Sequence, residues 1–341
     1  MHDFLLRRFL CFAILACAAA APCSVFAAEK KPAKKPASTA ANEAKTAADE
    51  AKHLLRYRFK PGETLRWEVE HRAQIRTTIQ GTTQTAETVS TSIKVWKVDK
   101  VDAQGQAKFT YSVESVDMRQ KYDGRQELHY NSDTDKEPPP GFGDAAKAVG
   151  LPLAAVTLDA QGKTVHREVL LEQPTPAPEL ITLPLPDDAV AAGESWTIPA
   201  DIKVTLRSGE VKKIKARQHY ALESVEGDVA TIRFQTQILS PVRDNPEIEA
   251  QIAQSKAVGQ IRFSLDDGRI LSQQSDVDER VNGFQGEASS MHCVTRFSEK
   301  LLPAGAVRKP PVAGPPAGPV TRPEDAPVVG RRSTSKSRRR K

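Results

Sequence analysis

The sequence predicts a mainly β protein: two related antiparallel β-sheet halves, each with one short helix, flanked by disordered tails. Three observations lead there. Apolar and polar residues alternate with period two through most of residues 54–302, interrupted by Asp/Gly turns at short spacing, the pattern of antiparallel meanders with one buried face. A set of markers recurs in one order in both halves, and recurrence constrains architecture before any single motif does. The segments flanking that span, 28–53 and 303–341, are too polar and too rich in Pro, Ala and Lys to bury a core.

Taken in order, residues 1–27 read as a signal peptide. Arg7 and Arg8 precede the apolar stretch Phe9 to Ala21, and Val25-Phe26-Ala27 supplies the small residue before the expected cut near Ala27. The apolar stretch falls short of the roughly 18 to 20 residues that span a bilayer, so no transmembrane anchor is expected after processing. The mature protein is then extracytoplasmic, in the periplasm or at the cell surface. Removing the leader leaves Cys293 as the lone cysteine. An internal disulfide is therefore excluded, and packing must hold the fold.

Residues 28–53 form a Lys/Ala/Pro-rich linker. The first β repeat, 54–173, opens with the alternating Leu55-Arg56-Tyr57-Arg58-Phe59, read as a strand that stops at Pro61-Gly62. Strands follow at Leu65 to Val69, at Thr88 to Val98, and at Phe109 to Val113 after the turn Asp102 to Gly105; Tyr122-Asp123-Gly124 reads as a hairpin tip. A Pro-rich connector, 174–186, leads to the second β repeat, 187–302. There the strand pattern covers Ile202–Leu206, Val211–Ile214, Tyr220–Val225, Val229–Leu239, Ile261–Leu265, Arg269–Asp278 and Ala288–Phe297.

The markers are Gly62-Glu63-Thr64 with Trp67 against Gly193-Glu194-Ser195-Trp196, then Val101-Asp102 against Val225-Glu226-Gly227. Next come Lys147-Ala148-Val149-Gly150 against Lys256-Ala257-Val258-Gly259, and the turns Leu158-Asp159 to Gly162 against Leu265-Asp266-Asp267-Gly268. A helix is expected before each Lys-Ala-Val-Gly. In the second copy Asn245 caps, Pro246 takes the first helical position, and Gly259 ends the helix.

Charge is segregated. The chain carries +6, but the leader, the linker and the disordered Pro-rich basic tail 303–341 together carry about +11, which leaves about −5 on residues 54–302. No basic face with interleaved aromatics is visible in that span, so a nucleic-acid-binding fold is not supported.

Catalytic signatures are missing together. The six histidines that remain after processing form no His-x-x-x-His pair, Gly193-Glu194-Ser195-Trp196-Thr197 lacks the closing Gly of a nucleophile elbow, and no phosphate or dinucleotide loop occurs. Asn131 to Asp135 begins like a calcium loop, yet Lys136 and Phe142 stand where Gly and Glu are required. Asp276 and Asp278 share a strand face, as do Met291, Cys293 and Thr295, with His292 pointing away from the thiol. The expectation is therefore no enzyme, no metal and no cofactor.

Trp67 and Trp196 are expected to fill equivalent positions, as core residues or as the stacking surface of a ligand site. The expected function is an exported, non-enzymatic binding protein that holds a hydrophobic small molecule or lipid-like ligand between curved sheets. The alternative is a structural or interaction protein of the cell envelope. In that reading Arg331, Arg332, Lys336, Arg338, Arg339, Arg340 and Lys341 attach the folded part to an anionic envelope polymer, phospholipid or nucleic acid.

The opening Tyr57-Arg58-Phe59-Lys60-Pro61-Gly62-Glu63-Thr64, with the export signal and the duplicated β pattern, resembles a domain-of-unknown-function family of secreted bacterial proteins found in planctomycete-type genomes. The resemblance covers 54–302. It implies a predominantly β, exported domain and transfers no catalytic residue.

Overall fold

Long alternating segments become long strands. The computed structural model describes residues 51–173, 181–242 and 245–305. The signal segment, residues 28–50 of the linker, residues 174–180 of the connector, and the tail beyond 305 with its basic candidates lie outside the described residues.

The first half contains β1 (Thr64–Ile79), β2 (Thr82–Val101), β3 (Ala107–Tyr122), β4 (Leu128–Asn131), α1 (Gly143–Ala148), β5 (Pro152–Leu158) and β6 (Thr164–Val169). The second contains β7 (Ser195–Thr205), β8 (Val211–Glu226), β9 (Val229–Ile238), α2 (Pro246–Ile252), a 3-10 turn at Ala253–Ser255, β10 (Val258–Ser264), β11 (Arg269–Asn282) and β12 (Ser289–Leu301). Together they form one open antiparallel sheet in the order β6-β5-β3-β2-β1-β12-β11-β10-β9-β8-β7, with β4 beside β3. The pairing order β1-β2-β3-β5-β6 recurs as β7-β8-β9-β10-β11, and β12 stands between the halves.

Two expectations are corrected here. The halves are not separate sheets: β1 pairs with β12 from Trp67↔Leu301 to Ile79↔Ser289. An unpaired edge in mid-molecule would leave a row of backbone groups without partners, and β12 removes it. Nor is Leu55–Phe59 a strand of the sheet. It lies across the sheet as an extended strap, with Tyr57 N–H donating to the Ala160 carbonyl (2.7 Å) and Arg58 N–H to the Gly268 carbonyl (2.9 Å). The predicted alternation is real, since Leu55 and Tyr57 are buried and Arg58 is exposed. What they face is turns and sheet surface rather than a parallel neighbour.

The Gly-Glu turns match in detail. Gly62 N–H donates to Val98 O and Gly193 N–H to Leu222 O, while Val98 and Leu222 donate back to the Glu63 and Glu194 carbonyls. Each glutamate also accepts from the backbone N–H three residues earlier, Lys60 at 2.7 Å and Ala191 at 2.8 Å. From these turns Trp67 lies four residues on and Trp196 only two, so the two tryptophans are not equivalent. Trp196 pairs with Tyr220 as Leu65 pairs with Trp96.

The Lys-Ala-Val-Gly copies also differ in role. Lys147 and Ala148 end α1, and Gly150 follows at φ +77° with open space around it. Asn245 caps α2 as expected, its side chain accepting from Ile248 N–H (3.2 Å), but the helix ends at Ile252 and Gly259 sits inside β10. A Cβ on Gly259 would lie 2.2 Å from the Gln274 carbonyl oxygen and 2.5 Å from the Phe234 ring. One glycine serves a turn, the other a close approach within the sheet.

One sheet face is open and polar. On it Arg296 meets Asp276 (2.6 Å) and His292 meets Asp278 (2.9 Å), so the paired carboxylates read from the sequence each take a polar partner on the neighbouring strand. The other face is covered. The first strap (residues 53–60) and a second (residues 181–190) lie over one end of it, and α1 and α2 over the other. Leu55, Tyr57, Leu183 and Leu185 pack on Tyr220, Leu222, Ile232 and Phe263. Ala145 and Ala148 of α1 join Met118 and Tyr130. Ile248 and Ile252 of α2 join Val204 and Ile214, while Ala250 joins Ile75, Met291 and Cys293.

Candidate functional site

The covered face holds one feature that packing alone does not require. Beneath the straps, where the first half meets the second, an aromatic wall encloses buried charge. Trp67 of β1 and Trp96 of β2 lie side by side across the strands, ring centroids 4.9 Å apart, and Phe109 of β3 stacks on Trp96 at 4.3 Å. Tyr57 and Phe59 of the first strap close the top, their rings stacked at 5.8 Å. Alternation puts Leu65 and Trp67 on this face, and the register Leu65↔Trp96 brings the second indole beside the first.

Against this wall sits Lys94, whose ammonium lies 4.6 Å from the Trp67 ring centre and 5.1 Å from that of Trp96. It donates to the Glu299 carboxylate of β12, and both side chains are nearly inaccessible, 9 and 2 % exposed. Gln273 of β11 donates to the other oxygen of Glu299 (3.0 Å). Placing a cation over two indoles and beside a carboxylate offsets much of the cost of taking both charges out of water. Nearby, Arg269 pairs with Glu63 (3.0 Å) and also reaches the Asp267 carbonyl. Glu63 thus ties the opening turn of the first half to β11 of the second.

The space left between these groups is a cavity of about 20 Å³, room for one water. Ile181 and Thr182 of the second strap complete its rim. Polar character persists at its edge: the indole Nε1 of Trp96 is buried and has no hydrogen-bond partner among the described residues. Trp67 Nε1, by contrast, donates to the Ile270 carbonyl (3.3 Å).

The straps are fastened to each other and to two turns. Tyr57 OH is within 2.7 Å of Thr182 Oγ1 and donates to Leu183 O at 3.0 Å. His53 and Val190 exchange backbone bonds, and Leu185 N–H donates to Gln161 O. The seats are the two Asp/Gly turns marked in the sequence. A Cβ on Gly162, at φ +80°, would fall 2.5 Å from the Tyr57 ring, and one on Gly268, at φ +59°, would fall 2.6 Å from Arg58 N. Only glycine supplies both the left-handed backbone and the clearance.

Of the two residues singled out as ligand-stacking candidates, Trp67 lines this cavity. Trp196 does not; it lies half-buried beneath the second strap, donating to Pro184 O (2.9 Å) and stacking on Tyr220 at 5.5 Å. Sequence reading missed Lys94, Trp96 and Glu299. A lysine inside the apolar run Ile93-Lys94-Val95-Trp96 was the available signal for the first; nothing local marks Glu299.

Elsewhere, Asn131 to Asp135 closes on itself. The Asp135 carboxylate accepts from Asn131 N–H (2.7 Å), the contact that chiefly holds its pKa below the usual carboxylate value, and Asn131 Oδ1 accepts from Asp133 N–H (2.9 Å). Cys293 is buried, and desolvation, reinforced by Glu279 and Asp278, pushes its thiol up to about 12. No helix among the described residues is long and apolar enough to cross a membrane.

No protein-family model matches the chain, and no curated protein matches it. Among solved structures it is similar to lipovitellin, in a study of lipid–protein interactions (TM-score 0.39, 12 % identity, 74 % of this chain and 26 % of that one). This chain thus spans about a quarter of the lipovitellin chain. Two further likenesses are DynF of the dynemicin biosynthesis pathway of Micromonospora chersina (TM-score 0.20, 7 % identity, 78 and 92 % covered) and a DUF1329 family protein from Desulfovibrio piger (TM-score 0.13, 11 % identity, 68 and 85 % covered). All three lie below the similarity at which a common fold or activity follows.

Proposed function

We propose that the protein is an exported, non-enzymatic binding protein that holds a hydrophobic or lipid-like ligand against the covered face of its sheet, with the two straps as the cover. The supporting observation is the pair of straps themselves. Each is an extended segment with apolar residues at alternate positions, lying on an aromatic sheet face where an extended apolar ligand would lie. The cavity of about 20 Å³ is far smaller than an acyl chain, so the ligand enters by displacing a strap, not by filling a void. A few backbone bonds hold the straps, against continuous ladders for the strands. The straps can therefore lift without breaking a strand ladder.

Native mass spectrometry of protein purified under non-denaturing conditions tests this, paired with amide hydrogen exchange before and after solvent extraction. The expected result is a co-purifying apolar ligand whose removal slows exchange at Tyr57, Arg58 and Leu185 as the straps close. Empty protein with strap exchange unaffected by added fatty acid or phospholipid overturns the reading. It would leave the envelope-interaction alternative.

A further inference from the structure

The β7–β8 hairpin runs past its neighbour. Strands β7 and β8 stay paired from Asp201↔Lys215 to Thr205↔Val211, whereas β9 pairs with β8 only as far as Ala216↔Ile238. The overhanging part is supported from one side, where Ile202, Val204 and Ile214 pack against Ile248 and Ile252 of α2. Its other side faces outward.

That outward side combines two kinds of residue. Lys203, Lys213, Lys215 and Arg217 alternate along the two strands and are all exposed. Asp201 is the acid among them, pairing with Lys213 at 2.6 Å, and Arg217 donates to the Gln237 side chain. On the same side Val211 is 62 % exposed, and Leu239, whose N–H donates to the Lys215 carbonyl, is 54 % exposed. A basic patch therefore stands on a folded span that is acidic as a whole, so that span has a preferred orientation in the field of an anionic surface.

We propose that this face of the β7–β8 hairpin docks on an anionic lipid bilayer, its lysines at the phosphate level and Val211 and Leu239 in the interfacial layer. Charge complementarity selects an anionic partner. The two aliphatic side chains among the lysines select a bilayer over a soluble polyanion, which offers nothing apolar for them to enter. Each cation brought to an anionic leaflet multiplies partitioning roughly fivefold, and salt screens the effect. The docking does not depend on the strap-covered site.

The test is co-sedimentation of the full chain with phosphatidylcholine vesicles, with and without phosphatidylglycerol. Binding to the anionic vesicles only, weakened by salt, is expected. Lys203→Gln with Lys213→Gln and Lys215→Gln lowers partitioning about a hundredfold. Val211→Ser with Leu239→Ser lowers vesicle binding and leaves retention on heparin unchanged. All five positions are exposed, so melting temperatures stay near that of the parent. Three results overturn the proposal. The full chain ignores anionic vesicles; or the lysine variant binds like the parent while a full-length variant with Arg331, Arg332, Arg338, Arg339 and Arg340 changed to Gln does not; or the serine variant binds vesicles unchanged, which identifies a polyanion site.

Discussion

Lys94 and Glu299, 205 residues apart in the chain, form an ion pair buried in the covered face of the sheet beside the rings of Trp67 and Trp96. Neither partner can lose the other cheaply. Lys94→Met leaves a buried Glu299 carboxylate without its cation, still accepting from Gln273, and Glu299→Leu leaves an ammonium against two indoles. Each single change should destabilise by about 3–5 kcal/mol, and the double change by less than either, because an apolar pair of similar volume carries no desolvation cost. Urea denaturation of the three variants measures this. Additive losses would mean the two side chains act independently.

The strap seats give a second expectation. Gly162→Ala and Gly268→Ala should each destabilise by at least the roughly 1–2 kcal/mol of a left-handed L-residue, plus the displacement of Tyr57 or Arg58. Gly193→Ala has a similar φ of +86° but open space around it, so it carries the backbone cost alone. Hydrogen exchange at Tyr57 and Arg58 separates the cases: it accelerates in the first two variants and not in the third. Equal acceleration in all three would show that the seats do not hold the strap.

His71 supplies a pH dependence. Burial lowers its imidazole pKa below the ordinary value, and Nδ1 has no hydrogen-bond partner among the described residues. The unfolded chain therefore binds the proton first as pH falls. The contribution of this residue is full above the unfolded pKa near 6.5 and declines below it toward the folded value. The urea midpoint should drop between pH 7 and 5, with a shallower drop in His71→Met. Parallel pH profiles for parent and variant would remove His71 as the cause.

Cys293 should be inert. With its thiol pushed up to about 12 and its side chain buried in the face that α2 covers, almost no thiolate exists at pH 8. Iodoacetamide should leave Cys293 unmodified in the folded protein and label it fully in urea, as peptide mapping would show. Rapid labelling without denaturant would point to an opening of α2 from the sheet.

Local pattern carried most of the strand assignments. In β8, Ile214, Ala216, Gln218, Tyr220 and Leu222 are buried in strict alternation, although the sequence reading found only its two ends, Val211–Ile214 and Tyr220–Val225; the turns at Ser208-Gly209 and Gly227 fall where the apolar runs break. The second part of β1 was not legible. From Glu70 to Thr78 it is mostly polar or charged, and its hairpin turns through Gln80 and Gly81, both at positive φ. Its strand character comes from pairing on both sides, with β2 and β12. The short β6 was missed for a related reason: Thr164–Val169 buries little and has only β5 beside it.

The candidate site was legible only in part. Trp67 could be picked out as a large apolar residue near the first Gly-Glu turn, but its likeness to Trp196 was a matter of letters. The hydrogen bonds around Glu63 and Glu194 align Trp196 with Leu65 instead.

Alternation by itself determined that this chain makes antiparallel strands with one wet face, because side chains on a pleated strand point to opposite sides whatever the strand pairs with. It equally determined where glycine turns interrupt those strands. Only the tertiary structure decided that both halves share a single sheet, that Leu55–Phe59 crosses it as a strap, and that Lys94 finds Glu299. Those outcomes depend on contacts between residues more than two hundred positions apart, and no local window of sequence encodes which distant surface a segment will meet.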